Sequence, residues 1–255
     1  MIMKELEMEK QIVTNEILEQ LEKLQPEKGL KNIQMFKERM QWALNNLKPQ
    51  LHYSIGNAKL PKTTLIFNLG TWFNCPGRKE GFCELCEKCY DKSPEVRFKD
   101  RIKGRLEQEI YFRAISAEKI GEQLTQIITT HNNKKRIKHK INRIRFNEVG
   151  ELRNQSDLEK IIKISDIVYE NTGVKSYIYT HNKNLNFDIA REALTINGSN
   201  FMVDNEYRVV EKGQREQEYQ TLNDISNKRD CICDCEKCPN YCLNKSGYIL
   251  IEEVR

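Results

Sequence analysis

No run of about eighteen apolar residues occurs anywhere in the 255-residue sequence, which excludes a helix that crosses a membrane. The opening MIMKELEMEKQIVTNEILEQ is charged throughout and lacks the apolar core of a secretory leader. No segment recurs at a period of roughly 20–50 residues, so a solenoid is not expected. Neither G-x-x-x-x-G-K-S/T nor G-x-G-x-x-G is present, and no Gly-rich cradle for nucleotide phosphates is foreseen. Charge of either sign is nearly balanced, 42 Lys plus Arg against 37 Asp plus Glu, and the formal +5 permits a nucleic-acid partner without requiring one. Without a leader, the nine cysteines are expected to be reduced and the compartment cytoplasmic. The length suits one large domain or two small ones and buries a core without disulfide staples.

The cysteines fall in two groups. Cys75, Cys83, Cys86 and Cys89 follow TTLIFNLG (63–70), a short β-branched run that reads as a strand feeding a loop. The last three are spaced C-x2-C-x2-C. Two-residue gaps let neighbouring thiolates converge on one centre, which suits a 4Fe-4S cluster and also tetrahedral zinc. The second group is CICDCEKCPNYC, with Cys231, Cys233, Cys235, Cys238 and Cys242, five thiols where a single site needs about four. Cys235, Cys238 and Pro239 share the C-x2-C and Cys-Pro elements of ferredoxin-type runs, and a structural zinc knuckle is the alternative there. The first group lies after the first strand of a β/α series, where ligands gather at strand C-terminal ends. That place favours a working iron-sulfur centre.

The flanking pattern predicts α/β architecture. Apolar residues at Leu6, Ile12, Ile17, Leu18, Leu21 and Leu24, then an amphipathic stretch from Leu30 to Leu47, predict a helical hairpin over residues 1–50 that docks on the rest or joins two copies as a homodimer. Residues 51–255 form the metal-binding β/α domain. Helices are expected over 94–113 and 117–130, and INRIRFNEVGEL (141–152) reads as a strand. A helix capped by Ser156 and ended by Gly173 follows, then strands at VKSYIYTHN, LTINGS, RVVE and GYILIEE, with a short helix at FDIAREA. Of His52, His131, His139 and His181, His181 is best placed for acid/base work, at the end of a strand. Glu148 and Glu151 flank a turn at the same end. The basic run KKRIKHKINRIR, and above all Lys134, Lys135, Arg136 and Lys138, is the candidate nucleic-acid contact. Tyr177 and Tyr179 read as strand residues.

Residues 141–182, a strand, a Gly-Glu turn, a helix and a further strand, resemble the second and third strands of radical S-adenosylmethionine enzymes. The resemblance implies a partial (β/α) barrel with a 4Fe-4S cluster and bound S-adenosylmethionine. The family's Gly-Gly-Glu-like element, which contacts the cofactor, matches Val149, Gly150 and Glu151; Asn147, Gly150 and Glu151 are the candidate cofactor contacts, and Glu151 and, from its place at a strand end, His181 are the candidate catalytic residues. Over roughly residues 53–250 the order GNAKLPKT, FNLG, CPG, RFNEVGEL, YIYT, INGS, VDN and the last cysteine group resembles the phage gene product 88 domain family of phages and mobile elements. That family implies one domain holding both cysteine groups, and no activity. The sequence thus points to a radical-SAM-like or redox iron-sulfur enzyme of a mobile element, acting on nucleic acid or nucleotides. The alternative is a non-enzymatic zinc- or iron-sulfur-stabilised module that binds nucleic acid.

Overall fold

The computed structural model describes residues 2–26, 30, 32–83, 86, 89, 92–221, 227–231 and 241–253. Its strands are Ser54–Ile55 (β1), Thr64–Phe67 (β2), Arg143–Phe146 (β3), Lys175–Thr180 (β4), Leu194–Ser199 (β5), Asn205–Val210 (β6), Lys228–Asp230 (β7) and Ile249–Glu253 (β8). Its helices are Ile2–Lys23 (α1), Ile33–Asn45 (α2), Pro76–Lys79 (α3), Lys92–Arg97 (α4), Lys99–Ala114 (α5), Ala117–Asn132 (α6), Gln155–Thr172 (α7) and Arg215–Thr221 (α8). The strands make one open sheet in the order β1-β2-β3-β4-β5-β6-β8-β7, parallel throughout except for β1 against β2. The fold is mixed α/β with an N-terminal helical hairpin. No helix among the described residues is long and apolar enough to cross a membrane.

Strand order decides which face is buried. From β2 to β6 the parallel strands lie side by side in chain order, so right-handed crossovers all fall on one face. The side chains obey this. Leu65, Phe67, Ile144, Phe146, Ile178, Leu194 and Ile196 share a core with Ile120, Leu124 and Ile128 of α6 and Leu158, Ile161, Ile164 and Val168 of α7. The alternate residues, which point to the other face, are mostly polar or aromatic: Arg143, Arg145, Tyr177, Tyr179, Thr195, Asn197, Asn205 and Tyr207, with Ile66 and Val209 as apolar exceptions. A sheet covered by helices on both faces would read apolar at every position.

The hairpin has its own core. Val13, Ile17, Leu21, Phe36, Met40 and Leu44 pack with Trp72, Phe73, Ile102, Leu106 and Ile110, so the hairpin docks against α5 and the segment before Cys75 through Ile17, Leu21 and Leu24, whereas Ile12 and Leu18, expected on the same face, are exposed and Val13 takes their place. Exposed apolar side chains remain on α1 at Ile2, Met3, Met8, Ile12 and Leu18.

Four local expectations are corrected. The helix expected over 94–113 is two, α4 and α5, because Phe98 is extended (φ −123°, ψ 105°). The cap of α7 is Asn154, whose side chain accepts from Asp157 N at 3.1 Å, not Ser156; Gly173 ends the helix in the left-handed region as expected. FDIAREA is not helical: Arg191 satisfies the carbonyls of Phe187 and Ile189 with its side chain and pairs with Asp204. The strand expected over 141–152 stops at Phe146, because Asn147 turns left-handed (φ 58°). β1 and β7 are not foreseen from the sequence, and β8 lies between β6 and β7. β5 passes to parallel β6 through residues 200–204 alone, a tight return in which a Cβ on Gly198 would stand 2.3 Å from the Phe201 carbonyl.

Candidate metal centre

The loop that leaves β2 is anchored before it reaches its first cysteine. Leu69 N donates to Val149 O at 3.2 Å and Val149 N to Asn68 Oδ1 at 2.9 Å, which binds the ends of β2 and β3 together. Asn74 N donates to Thr71 Oγ1 at 2.8 Å, and Trp72 and Phe73 plug the hairpin core. Arg78 returns over both rings, at 4.8 and 5.2 Å.

The cysteine spacing then becomes geometry. Cys86 N donates to Cys83 O, Cys89 N to Cys86 O and Lys92 N to Cys89 O, at 3.3, 3.4 and 3.2 Å. These are successive i to i+3 turns, and in such turns side chains three apart eclipse one another. The C-x2-C-x2-C spacing therefore sets three thiols in a row. Cys75 joins them through Gly77, where a Cβ would lie 2.9 Å from Cys83 Cβ and 3.7 Å from Cys75 Sγ. The thiols sense one another: a hydrogen bond in which the Cys86 thiol donates to Cys83, then burial, then the charges of Cys83, Cys75 and Cys89 push the Cys86 thiol far above its ordinary range. Burial, followed by the charge of Glu151, does the same to Cys75. Among the described residues no three His, Cys, Asp or Glu side chains stand around one point as the ligands of an ion do. In chemistry the set still suits a soft metal or cluster: four partly buried thiols lie in one loop, with a glycine where a Cβ would wedge between Cys75 and Cys83.

Beside the loop, the ends of β3 and β4 are laced by a buried carboxylate. Glu151 Oε1 accepts from Leu152 N and Thr180 Oγ1, both at 2.8 Å, and from Asn147 Nδ2 at 3.4 Å; Oε2 accepts from His181 N at 2.7 Å. Burial raises its pKa, against the opposing pull of the His181 N–H, the His181 ring and the other donors. Asn147 Nδ2 also reaches Tyr179 O at 3.1 Å, while its Oδ1 is buried with no donor among the described residues. Gly150 (φ 88°) comes so close to β2 that a Cβ would stand 2.7 Å from Gly70 N. The structure thus gathers Asn147, Gly150, Glu151 and Cys75 at one end of the sheet, with half-buried His181 alongside. A cleft of about 10 Å³, room for roughly one water, runs between Gly70, Cys75, Glu109, Gly150 and Glu151.

Residues the sequence did not single out complete this end. Glu109 of α5 is fully buried; its Oε1 accepts from Asn74 Nδ2 at 2.6 Å and from Arg113, and its Oε2 has no donor among the described residues. The available signal was RLEQEIYFR, a mid-helix run whose charged members are buried on both sides of an apolar stripe.

Of the second cysteine group, Cys233, Cys235 and Cys238 lie outside the described residues. Cys231 follows β7, where its N–H donates to Ile251 O at 2.8 Å. Cys242 is in a 3-10 turn, Tyr241–Leu243, laid on the polar face. Asn197, Thr195 and Asn205 donate to the successive carbonyls of Cys242, Leu243 and Asn244 at 3.1, 3.0 and 2.8 Å. Burial, then the charge of Cys242 and more weakly that of Cys231, raises the Tyr179 hydroxyl well above its ordinary range. Lys134, Lys135, Arg136 and Lys138 are exposed, at the opposite end of the sheet from Cys75.

Fold and loop together define an α/β protein with a sheet wound in one direction and a thiol-rich loop at its strand ends. The chain matches the Gene product 88 family over residues 27–246 and belongs to it. No curated protein and no solved structure matches it.

Proposed function

We propose that the protein is an iron-sulfur protein of a phage or mobile element, in which Cys75, Cys83, Cys86 and Cys89 hold a 4Fe-4S cluster and the strand ends beside them form a redox or radical-SAM-like active site. The observation that carries this is the row of thiols made by successive i to i+3 turns at the C-terminal end of β2. Further support comes from the strand order, which leaves a polar face free of crossover helices as a partial barrel does. A bound cluster would supply one-electron chemistry. Around it, Asn147 and Gly150 would contact a cofactor such as S-adenosylmethionine once the cleft beside Cys75, about 10 Å³ here, opens to admit it. Glu151 and His181 are the groups to hold or move a proton there, and the substrate class is nucleic acid or nucleotide. Cys231, Cys233, Cys235, Cys238 and Cys242 hold a second centre, iron-sulfur or zinc.

One observation favours a second reading. Both oxygens of Glu151 are engaged by donors of the chain itself, as in a structural clasp, and the three thiols of the row together with Cys75 can fill every site of a cluster or of a zinc ion. On that reading the domain is a metal-stabilised module without catalysis. Reductive cleavage of S-adenosylmethionine by the anaerobically reconstituted protein separates the two. Cleavage that Cys86→Ala abolishes supports the enzyme; a fully loaded protein that never cleaves the cofactor leaves the module.

A further inference from the structure

The segment 132–141, between α6 and β3, is an ordered loop and not a loose tail. The Asn132 side chain grips both main-chain groups of Ile141, donating to its carbonyl at 2.9 Å and accepting from its N–H at 2.7 Å. A His131 ring nitrogen lies 3.1 Å from His139 O, and turns close at Lys134 N to His131 O and Ile137 N to Lys134 O. Beyond the loop, Asn142 N donates to Thr63 O at 3.0 Å, which fastens it to the entry of β2. This closure holds Lys134, Lys135, Arg136, Lys138 and Lys140 on the surface together, all exposed and none in an ion pair among the described residues. The sequence supplies no neutralising charge nearby: no Asp or Glu occurs between Glu122 and Glu148. Exposed Lys62, next to Thr63, adds a further cation at the same end.

Like charges crowded on a closed loop repel one another, and a polyanion relieves that repulsion by exchanging small counterions for the protein's cations. Two kinds of polyanion present themselves, a nucleic acid and an anionic membrane. A membrane-binding basic segment needs an apolar element to insert beside its charges. Here Ile137, the one apolar residue within 133–140, is half-buried, while Asn133 and His139 are exposed and able to hydrogen-bond phosphate or sugar. We propose that this loop, with Lys62, holds the phosphate backbone of a nucleic acid without regard to sequence. The register Thr64↔Arg143 to Phe67↔Phe146 puts the loop and the cysteines at opposite ends of the same strands. The loop is therefore a tether, and its action does not depend on what the thiols hold.

The test is fluorescence anisotropy with mixed-sequence single-stranded and duplex oligonucleotides across a salt series, on the full chain. The variant carries Lys→Gln or Arg→Gln at positions 134, 135, 136, 138 and 140. Each lost phosphate contact lowers the log–log salt slope by about 0.7–0.9, so the variant's slope should fall by about three to five and its affinity at moderate salt by tenfold or more. Iron and sulfide content should be unchanged, so failure here is distinct from failure of the metal assignment. Arginine at the four lysine positions should keep binding. Asn132→Ala, which opens the loop without removing charge, should weaken binding severalfold. A variant that binds like the unaltered protein overturns the proposal, as does an unaltered protein that binds no oligonucleotide. Binding to phosphatidylserine vesicles without binding to oligonucleotides would assign the loop to lipid and overturn it too.

Discussion

Glu16 and Arg113 meet in a two-pronged ion pair, 2.7 and 3.1 Å, that ties the first helix to α5. The pair extends to the cysteine loop. Asn74, the residue before Cys75, donates to Glu16 at 3.2 Å and to Glu109 at 2.6 Å and accepts from Gln20 at 2.7 Å, while Lys79 of α3 reaches Glu16 at 3.2 Å. The N-terminal helix thus belongs to the frame that sets the direction in which the loop departs.

Arg113→Ala leaves two carboxylates, Glu16 and Glu109, without their shared cation in a buried setting, and is expected to cost about 3–5 kcal/mol. Glu16→Gln should cost less, about 1.5–3 kcal/mol. The pH dependence separates the acids. Burial pushes the Glu16 pKa up, but hydrogen bonds and charge from Arg113, with Asn74 and Lys79, outweigh it and hold the group at about 2 against an ordinary 4.5. Its folded pKa lies below its unfolded one, so its contribution is complete above about pH 4.5 and is lost as pH falls towards 2. Burial raises Glu109 instead, so its contribution has the opposite sign and declines as pH rises past the ordinary carboxylate range. Urea titrations at several pH values should show the acid slope flattened in Glu16→Gln; an unaltered slope would contradict the network.

Gly150→Ala and Gly173→Ala form a matched pair. Both glycines have left-handed backbones, φ 88° and 70°, and an L side chain there costs about 1–2 kcal/mol. Only at Gly150 would the added Cβ strike the backbone of the loop that leaves β2, 2.7 Å from Gly70 N, whereas nothing lies near Gly173. Thermal unfolding should rank Gly150→Ala as the more destabilised by a further 1–3 kcal/mol or so. Equal losses would show that β2 and β3 do not meet so closely.

Glu151→Gln replaces an acceptor of N–H and O–H groups with an amide that also donates, and should cost about 1–3 kcal/mol whatever the catalytic role of the residue. Activity of this variant has to be read beside its melting temperature. A variant as stable as the unaltered protein would remove the clasp between β3 and β4.

Phe36→Ala is expected to lower stability by about 3–5 kcal/mol, because its buried ring meets Trp72 and Phe73 edge-on at 6.4 and 5.2 Å. Those two residues lie just before Cys75, so the variant should also retain less metal than a variant of similar cost in the core away from the hairpin, such as Leu158→Ala. Equal retention would separate the hairpin from the cysteine loop.

Much of this was legible in sequence because it follows from period and spacing. The hairpin, the strands β2 to β6, the parallel sheet and the cysteine turns all rest on local patterns. Asn154 was missed as a cap because Ser156, two residues later, is as good a cap by type. FDIAREA was misread because its apolar residues fit a helix, and only the long-range pairing of Arg191 with Asp204 decides against one. Asn74 and Glu16 could not be found at all, and RLEQEIYFR marks Glu109 only as a charge within an apolar run, since their meeting depends on how α1 and α5 pack and no sequence spacing encodes that contact.

The central claim is that the thiol row holds an iron-sulfur cluster. Its most direct test is iron, zinc and acid-labile sulfide content of protein purified without oxygen, compared with Cys83→Ser. Iron and sulfide are expected in near-equal amounts, about four of each for a cluster in the first loop, with both falling by that amount in the variant while the fold persists. Zinc without sulfide, or iron that Cys83→Ser leaves untouched, would contradict it.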